Sequence, residues 1–512
     1  MISNDLYCAT VSESSVLANE DNGHASPAES MDPDIIIRCP ASDPELVKQW
    51  LTDAKGTVLS RLDRYIKRPL QDFTRKCYWT AERLIDFIMS LERDGIQNQL
   101  NTLFPMNEIP VRNSSFSEAR KKVNHELFED LFYTFNEQVT TNATFKGFTL
   151  LSTDGSTVNV PTNRSQNTTY HPNKATDGGY NQIYLDGRFN IMSGFYTDVR
   201  FSVGKKSDER DSFLQMVARC RVPGNLCNIL DRGYEGYNPF AHLIEKGEYF
   251  VCRAKEASSN GILSGIDVPE TDEYDFMHTF FLTRSQAASY RKNPYYKFMP
   301  ANQRFDYLTD NEDVYVMTLR FVRFRTASGA YETIITNLLE PVHKITRDDL
   351  KYMYYLRWGG SEVSYRQLKY SADLLYFHSY LLENILQECY ASLLMFNICR
   401  LISAHVPVKE DDLETQPPVL TKEQYEEVCN KFEERLKTAE DNPSVLHQPV
   451  KVTFMIYRFN FNVVFDDIRR FIFGEGTAEN LIARMRKTLI SVRPGRVFTR
   501  NVKAQRARTV LY

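Results

Sequence analysis

Two short apolar runs end in an aspartate, and both have the pattern of strands buried in a sheet. Residues 148–153 (FTLLST) lead to Asp154, and residues 225–230 (NLCNIL) lead to Asp231. A glycine follows each aspartate, directly or after one arginine, which is a turn signal. We therefore predict that both aspartates stand at the ends of buried strands, where their carboxylates can project into one cleft.

The pattern between residues 146 and 256 alternates strands with helices. Apolar runs and helical spacing predict these further elements in chain order: strands at 181–191 and 195–203, helices at 207–220 and 238–247, and a strand at 248–254. With the two runs above, the order is three strands, a helix, a strand, a helix and a strand. This is the order of an RNase H-like core, in which the first aspartate sits on the first strand and the second on the fourth.

A third acidic position, Glu362, lies in a helical part of the chain. Thr346 suits the N-cap of the helix that leads to it, and the apolar stretch at 380–402 predicts a buried helix against one face of the sheet. Two strand-end aspartates and this glutamate would place three carboxylates around one point. Carboxylates suit hard divalent cations such as Mg²⁺ and Mn²⁺, and two such ions about 3.5–4 Å apart promote in-line attack on a phosphodiester.

Three sequence blocks resemble those of bacterial insertion-sequence transposases of the DDE type, in the IS-four family with the YREK signature. The blocks are STDGSTVNVP at 152–161, LDRGYEGYNPFAHLIEKGEYFVCRAKE at 230–256 and YYLRWGGSEVSYRQLKYSADLLYFHS at 354–379. An Asx turn is the commoner use of a lone Asp-Gly pair. The resemblance implies instead that Asp154, Asp231 and Glu362 are catalytic and hold two Mg²⁺ or Mn²⁺ ions per active site.

The resemblance also implies DNA contacts around the third block. Tyr354, Arg357 and Lys369 match the remaining letters of the signature, and Trp358 follows the signature arginine. Arg357 and Lys369 would bind phosphates beside the scissile bond, and Trp358 would stack on a base as the strand end is remodelled. Each residue taken alone has an ordinary alternative, which is a surface charge for the two basic residues and a core position for the two aromatic ones.

The third block departs from the family pattern at one point. Relatives place three residues between the arginine and the glutamate, whereas four lie between Arg357 and Glu362. On a continuous helix the extra residue rotates one side chain by about 100° relative to the other. The pair Gly359-Gly360 can interrupt the helix and restore the geometry. The insertion also leaves open a copy whose catalysis is impaired.

Residues 46–145 predict a helical domain. Within it, SFSE at 115–118 has a capping-box pattern, and the helix that it starts would present Arg120, Lys121 and Lys122 in its first turns. A solvated helix face is the ordinary alternative. Because the resemblance implies a helical DNA-end-binding domain in this part of the chain, we expect these three side chains to contact phosphates.

The predicted organisation has six parts: an acidic, flexible arm at 1–45, the helical DNA-end-binding domain at 46–145, the first part of the core at 146–256, a β-rich insertion at 257–345, the second part of the core with the glutamate at 346–402, and a C-terminal helical region at 403–512. That last region ends in a basic stretch, since residues 484–508 include nine basic residues and no acids. We predict that this stretch is a second DNA contact.

Composition limits the classes of function. The formal net charge is −4, so binding to nucleic acid depends on local basic patches. The nine cysteines form no Cys-x-x-Cys pair, which favours reduced thiols over zinc sites or disulfides. We see no signal peptide and no apolar stretch of membrane-spanning length, and therefore expect a cytoplasmic protein. The resemblance implies a bacterial protein that acts at the nucleoid.

The sequence thus predicts an α/β protein with an RNase H-like mixed-sheet catalytic core, acting as a cut-and-paste DNA transposase. Its partners would be double-stranded DNA, namely the inverted-repeat ends of the transposon and the target, and the resemblance implies a homodimer in the synaptic complex. Two alternatives stay open. One is a transposase-derived DNA-binding protein without catalysis, and the other is an RNase H-like nuclease without strand transfer.

Overall fold

The structure is a computed structural model, and it describes these residues: 43–104, 108, 110–139, 143–172, 178–205, 208–256, 258–293, 295–309, 313–326, 329–340, 342–357, 363–406, 456–474, 476–492 and 509–511. They belong to two compact units. The first unit contains residues 43–405 with 509–511, and the second contains the described residues from Val406 to Val492.

Five helices precede the sheet of the first unit: α1 (Pro44–Leu59), α2 (Ala81–Ser90), α3 (Ile96–Leu103), α4 (Asn113–Arg120) and α5 (Glu126–Asn136). α1 starts with a proline, which has no backbone N–H that would need a partner, and Asp43 caps it by accepting from the amide of Glu45 at 2.7 Å. Val47, Leu51 and Val58 recur at helical spacing and are fully or almost fully buried, so that α1 packs against α5.

The prediction that a helix starting at 115–118 carries Arg120, Lys121 and Lys122 in its first turns is wrong. α4 begins at Asn113 and ends at Arg120, and α5 begins only at residue 126. The chain between the two helices pairs with an earlier loop, because the amide of Lys67 donates to the carbonyl of Lys122 at 2.9 Å and the amide of Asn124 donates to the carbonyl of Tyr65 at 2.8 Å. These long-range hydrogen bonds outweigh the local helical tendency and place the basic residues at the end of a helix.

Ten strands form one mixed sheet: β1 (Phe148–Val160), β2 (Tyr170–His171), β3 (Tyr180–Asn190), β4 (Phe195–Ser202), β5 (Asn225–Leu230), β6 (Tyr249–Arg253), β7 (Tyr274–Thr283), β8 (Tyr296–Phe298), β9 (Val314–Arg325) and β10 (Tyr331–Thr336). Their order is β2-β3-β1-β5-β6-β10-β9-β7-β8, and β4 pairs with β3. β3 runs antiparallel to both β1 and β4, whereas β5 runs parallel to β1 and to β6. The arrangement β4-β3-β1-β5-β6 is that of the predicted RNase H-like core.

Two crossover helices connect the parallel strands: α6 (Glu209–Arg219) leads into β5, and α7 (Tyr237–Glu245) leads into β6. Parallel neighbours need such crossovers because a tight turn cannot join them. Both helices bury their apolar faces in one cluster, in which the rings of Phe240 and Phe250 stack with centroids 4.2 Å apart. This packing fixes the positions of β5 and β6.

The register of β1 and β5 brings the two predicted aspartates side by side. Ser152 of β1 pairs with Ile229 of β5. Asp154 and Asp231 each lie two positions further along the chain than this pair, so the parallel register places them next to each other. β1 continues past Asp154 to Val160, whereas β5 ends at the residue before Asp231. The pattern of apolar runs ending in aspartate therefore predicted the adjacency but not the length of β1.

The β-rich segment extends the core sheet. β10 pairs antiparallel with β6, β9 pairs with β10, and β7 pairs with β9 along ten residues. A short helix, α8 (Ala288–Arg291), precedes the edge strand β8. The apolar cluster under α6 and α7 continues beneath these strands through residues such as Leu282, Leu319 and Phe321. The segment and the core thus share one sheet and one apolar interior.

Three helices follow the sheet: α9 (Arg347–Arg357), α10 (Val363–Tyr370) and α11 (Leu382–His405). As predicted, Thr346 caps α9. Its hydroxyl accepts from the amide of Asp349 at 3.2 Å, and the carboxylate of Asp349 accepts from the amide of Thr346 at 2.8 Å. α11 is long and apolar enough to cross a membrane, but 89% of its most apolar window is buried inside the protein, as in a core helix.

The described residues of the second unit form a strand pair and two helices: β11 (Ile456–Phe459), α12 (Phe461–Phe473), α13 (Ala478–Lys487) and β12 (Leu489–Val492). β11 and β12 are antiparallel. Arg484 of α13 pairs with the buried Asp467 of α12 at 2.5 Å, which fastens the two helices together. Residues 493–508 of the basic stretch lie outside the described residues, so its DNA contact stays a prediction.

Arg120 is a buried residue of the first unit, and this corrects the expectation that it contacts DNA. Its side chain is 2% exposed and pairs with Glu388 of α11 at 2.6 Å. Its Nε donates to Gln387 at 2.7 Å, and its guanidinium also donates to the carbonyl of Asn384. The imidazole Nδ1 of His378 lies 3.2 Å from the same Glu388 carboxylate. Arg120 therefore joins α4 to α11 instead of facing a phosphate.

We predict that Glu388→Gln destabilises the protein strongly. The substitution leaves the guanidinium of Arg120 buried without its counter-charge, and loss of one partner of a buried ion pair costs about 3–5 kcal/mol. Urea denaturation of the purified chain measures the change. The matched control is Glu118→Gln, which removes the exposed partner of Lys121 and is expected to leave the denaturation midpoint unchanged. Equal midpoints for both variants would contradict the structural role of Arg120.

Candidate active site

The guanidinium of Arg357 lies between the two strand-end aspartates. Its Nη1 is 3.8 Å from Oδ2 of Asp154, and its Nη2 is 3.6 Å from Oδ2 of Asp231. The Arg357 side chain is 4% exposed, whereas the two aspartate side chains are 31% and 30% exposed. The structure therefore brings two of the three predicted catalytic residues to one partly open position, with a positive group beneath them.

Asp231 has a second cationic neighbour. Nη2 of Arg253, on β6, is 2.8 Å from Oδ1 of Asp231, and the hydroxyl of Tyr354 lies 3.4 Å from the same oxygen. Burial by itself raises the pKa of the Asp231 carboxyl. The charge of Arg357, the backbone N–H of Arg232 and the charge of Arg253 outweigh burial, so this pKa lies below its ordinary value. Asp231 is therefore ionised at neutral pH.

Asp154 is held through its backbone. The hydroxyl of Tyr365, on α10, donates to the carbonyl of Asp154 at 2.5 Å, and the amide of Gly155 donates to Oδ1 of Asp154 at 3.0 Å. Tyr365 is 7% exposed and packs against Tyr196 with ring centroids 5.8 Å apart. The aspartate is thus fixed by a buried aromatic layer on the face of the sheet covered by α10.

Lys369 reaches the same strand from α10. Its Nζ donates to Oγ of Ser156 at 2.7 Å and to the carbonyl of Thr157 at 2.8 Å. Burial disfavours the charged form and lowers the pKa of Lys369 to about 8. Ser156 lies two residues after Asp154, so Lys369 brings a basic group to the strand that carries the first aspartate.

Two further carboxylates approach Asp154, and the sequence did not reveal them. A Cβ atom placed on Gly155 would lie 2.8 Å from Oε1 of Glu209 and 2.9 Å from Oδ1 of Asp186, so the two carboxylates lie against the backbone directly after Asp154. Partial burial, then the charges of Asp186 and Asp154, raise the pKa of Glu209. Asp186 lies within a strand and Glu209 in the first turn of α6, where acids are common. Neither position carries a local signal of function.

Two predicted site residues, Trp358 and Glu362, lie outside the described residues. α9 ends at Arg357 and α10 begins at Val363, so the described helices stop on either side of the Gly359-Gly360 pair. The predicted interruption of the helix between them, and the third catalytic carboxylate, stay predictions.

The remaining predicted DNA contacts differ in accessibility. Tyr354 is 2% exposed, and its hydroxyl faces Asp231, so in this conformation it supports a carboxylate and does not reach a phosphate. Lys121 is exposed and pairs with Glu118 at 2.7 Å. The ammonium of Lys122 lies 5.7 Å from the centroid of the Phe73 ring. Phosphate contacts by Lys121 and Lys122 stay predictions.

Comparison with known proteins finds similarity among solved structures. No protein-family profile and no curated protein sequence matches the chain. Among solved structures, the chain is similar to a piggyBac transposase synaptic complex with hairpin DNA determined by cryo-EM. The TM-score is 0.42 at 9% sequence identity, over 87% of this chain and 81% of that chain. A TM-score of this size is too low for any property of that complex to be transferred.

We predict that DNA affinity falls as pH rises through the pKa of Lys369. Below about pH 8 the buried ammonium is charged, and above it the neutral amine loses its attraction for phosphate. Binding measured by fluorescence anisotropy from about pH 7 to about pH 9 should weaken for the wild type. Lys369→Arg stays charged over this range and should flatten the profile, whereas the exposed control Lys121→Arg should not. Identical profiles for all three proteins would exclude Lys369 as a phosphate contact.

Proposed function

We propose that this protein is a DDE transposase, which cleaves transposon ends and transfers them to target DNA with divalent cations. The observation that carries the proposal is the placement of Asp154 and Asp231. They stand side by side on parallel strands of an RNase H-like sheet, and both carboxylates face one cationic group, Arg357. Two carboxylates that converge on one positive charge are the beginning of a divalent-cation site.

The donor set fits Mg²⁺ or Mn²⁺. Asp154 and Asp231 supply carboxylate oxygens, which are the preferred ligands of both ions, and both side chains are partly open to solvent. The guanidinium of Arg357 is a stand-in for a cation between them. We assign the third ligand to Glu362 on the strength of its sequence block, and Asp186 and Glu209 add negative charge beside Asp154.

The roles of the protein groups follow from this arrangement. When bound, two divalent cations would activate water, or later a DNA 3′-hydroxyl, and stabilise the leaving oxygen. Asp154 and Asp231 would hold the cations. Asp231 is paired with Arg253 at 2.8 Å, and Asp154 is kept in place by Tyr365. Lys369 would hold the phosphate next to the scissile bond. No side chain is required as a nucleophile.

The finer assignments are supported by the sequence blocks at 152–161, 230–256 and 354–379 alone. They are membership of the IS-four family, a bacterial host, inverted-repeat ends and target as double-stranded DNA partners, and a homodimer that holds two ends together. The DNA that flanks the gene tests the assignment to a mobile element, because inverted repeats on both sides with a short target duplication mark such an element. Flanks without such repeats would contradict the assignment.

A second candidate function is that of a DNA-binding protein derived from a transposase. The observation that favours it is the neutralisation of the aspartates by two guanidinium groups, together with the extra residue before Glu362. Such a protein would bind DNA ends without nicking them. A third candidate, a nuclease without strand transfer, would nick and never join. The product assay below separates all three.

We predict that Asp154→Asn and Asp231→Asn each abolish cleavage but spare DNA binding. Each change removes a cation ligand, and since even the partners of metal ligands are worth about 10–100-fold, the expected loss exceeds about 100-fold. The substrate is a supercoiled plasmid that carries the gene with its natural flanking DNA, incubated with Mg²⁺ or Mn²⁺. Nicked, linear and joined products are resolved on agarose gels.

The matched control is Asp272→Asn, which changes an exposed carboxylate in the loop before β7 and should cleave at the wild-type rate. Cleavage at that rate by Asp154→Asn or Asp231→Asn would remove the residue from the site. Binding without any nicking by the wild type would favour the second candidate. Nicking without joined products would favour the third.

A further inference from the structure

Arg357 occupies the position that the proposed function gives to cations. We propose that Arg357 couples DNA binding to cation binding: without DNA its guanidinium holds Asp154 and Asp231 in place of a divalent ion, and a DNA phosphate draws it away. This inference rests on the proposed function, because it assumes that the two aspartates are cation ligands. It gives Arg357 a positioning role and implies that DNA binds to the site before the divalent cations do.

The distances indicate a counter-ion that can be displaced. The Arg357 nitrogens lie 3.8 Å from Asp154 and 3.6 Å from Asp231, beyond the 2.7–3.2 Å range of N–H···O hydrogen bonds. Toward these two carboxylates the guanidinium thus balances charge over a longer distance than in a close bidentate arginine–carboxylate pair, while it forms a hydrogen bond with Tyr354, whose hydroxyl faces Asp231. By contrast, Arg253 lies 2.8 Å from Asp231 and is the tighter partner.

The two aspartate side chains are more exposed to solvent than the side chain of Arg357. Arg357 is almost fully buried beneath the aspartates, while both carboxylates keep about a third of their surface open. A cation arriving from solvent meets the carboxylates first and then faces the guanidinium across them. Because like charges repel strongly at such a separation, a divalent ion and Arg357 cannot both be held closely by the same pair of carboxylates.

The location of Arg357 in the fold lets its side chain leave without unfolding the helix. It is the last residue of α9, and a helix is least constrained in its final turn. Lys369 holds the next helix against Ser156 and Thr157, which marks the side of the site where a phosphate would bind. The two oxygens of a phosphodiester match the fork of the guanidinium, so DNA offers Arg357 a better partner than the aspartates do.

Because the same guanidinium would interact with either the carboxylates or the DNA, the binding of cations and the binding of DNA are thermodynamically linked. If a DNA phosphate takes Arg357 away from the carboxylates, the affinity for cations rises, and cations must raise the affinity for DNA by the same factor. The site would then bind cations weakly until a DNA strand is in place. An enzyme loaded in this order does not hold reactive cations in the absence of its substrate.

The test measures cation binding without catalysis. Isothermal titration calorimetry with Ca²⁺, an oxygen-liganded ion, is carried out on the wild type and on Arg357→Gln, with and without a duplex of the sequence that flanks the gene. We expect Arg357→Gln to bind Ca²⁺ about tenfold more tightly than the wild type when DNA is absent. The duplex should raise the Ca²⁺ affinity of the wild type by a larger factor than that of Arg357→Gln, because only the wild type gains from the removal of the guanidinium in addition to the charge of the phosphate.

Two arginine variants serve as controls. Arg357→Lys keeps the charge and should bind Ca²⁺ as weakly as the wild type. Arg253→Gln removes the other guanidinium beside Asp231, which does not bridge the two aspartates, and should change Ca²⁺ affinity less than Arg357→Gln does. An equal gain for Arg253→Gln would reduce the effect to general electrostatics and overturn the proposal. So would an unchanged Ca²⁺ affinity in Arg357→Gln.

Failure of the inference is distinguishable from failure of the proposed function. If Asp154→Asn and Asp231→Asn lose Ca²⁺ binding while Arg357→Gln binds like the wild type, the cation site stands and only the coupling is wrong. If both aspartate variants bind Ca²⁺ normally, the cation site itself is wrong and the coupling falls with it. Should Arg357→Gln fail to fold, the wild type decides, since a duplex that leaves its Ca²⁺ affinity unchanged overturns the coupling.

Discussion

Parallel pairing of β1 with β5 is the constraint on which the rest of the structure depends. It places two ionisable aspartates side by side, and a sheet cannot relax by moving one strand away from the other. The repulsion between the carboxylates must therefore be balanced by groups that the surrounding elements bring. Arg253 comes from the neighbouring strand β6, and Arg357 comes from α9, which packs against β5 and β6.

The sheet consequently positions the acidic groups of the site, and the helices carry two of its basic groups. Asp154 is held by the pairing of β1 with β3 and by the hydroxyl of Tyr365, and Asp231 directly follows the last residue of β5. Two of its positive charges, Arg357 and Lys369, sit on long side chains of α9 and α10. Charge can be rearranged there by changing side-chain torsions, while the carboxylates keep their positions. Such an arrangement suits a site that must exchange one cationic partner for another.

The parts of the fold predicted from sequence are those that local patterns determine. An apolar run followed by Asp-Gly is enough to find Asp154, and the alternation of strands and helices is enough for the RNase H-like order. Arg120 was mistaken for a surface residue because its burial depends on Glu388, which is remote in sequence. Asp186 was missed because it comes close to Asp154 through the pairing of Asp186 with Gly155, and the sequence of one strand does not indicate which residues pair with it.

One sheet runs without interruption from β2 through the aspartates to β8. Because neighbouring strands of a sheet lie about 4.8 Å apart, the number of intervening strands sets the distance of β9 and β7 from the carboxylates. A group bound to β7 or β9 is therefore held at a defined distance from Asp154 and Asp231. A change in the length of the β-rich segment would alter how far the sheet extends from the site, and would leave the positions of the two aspartates unchanged.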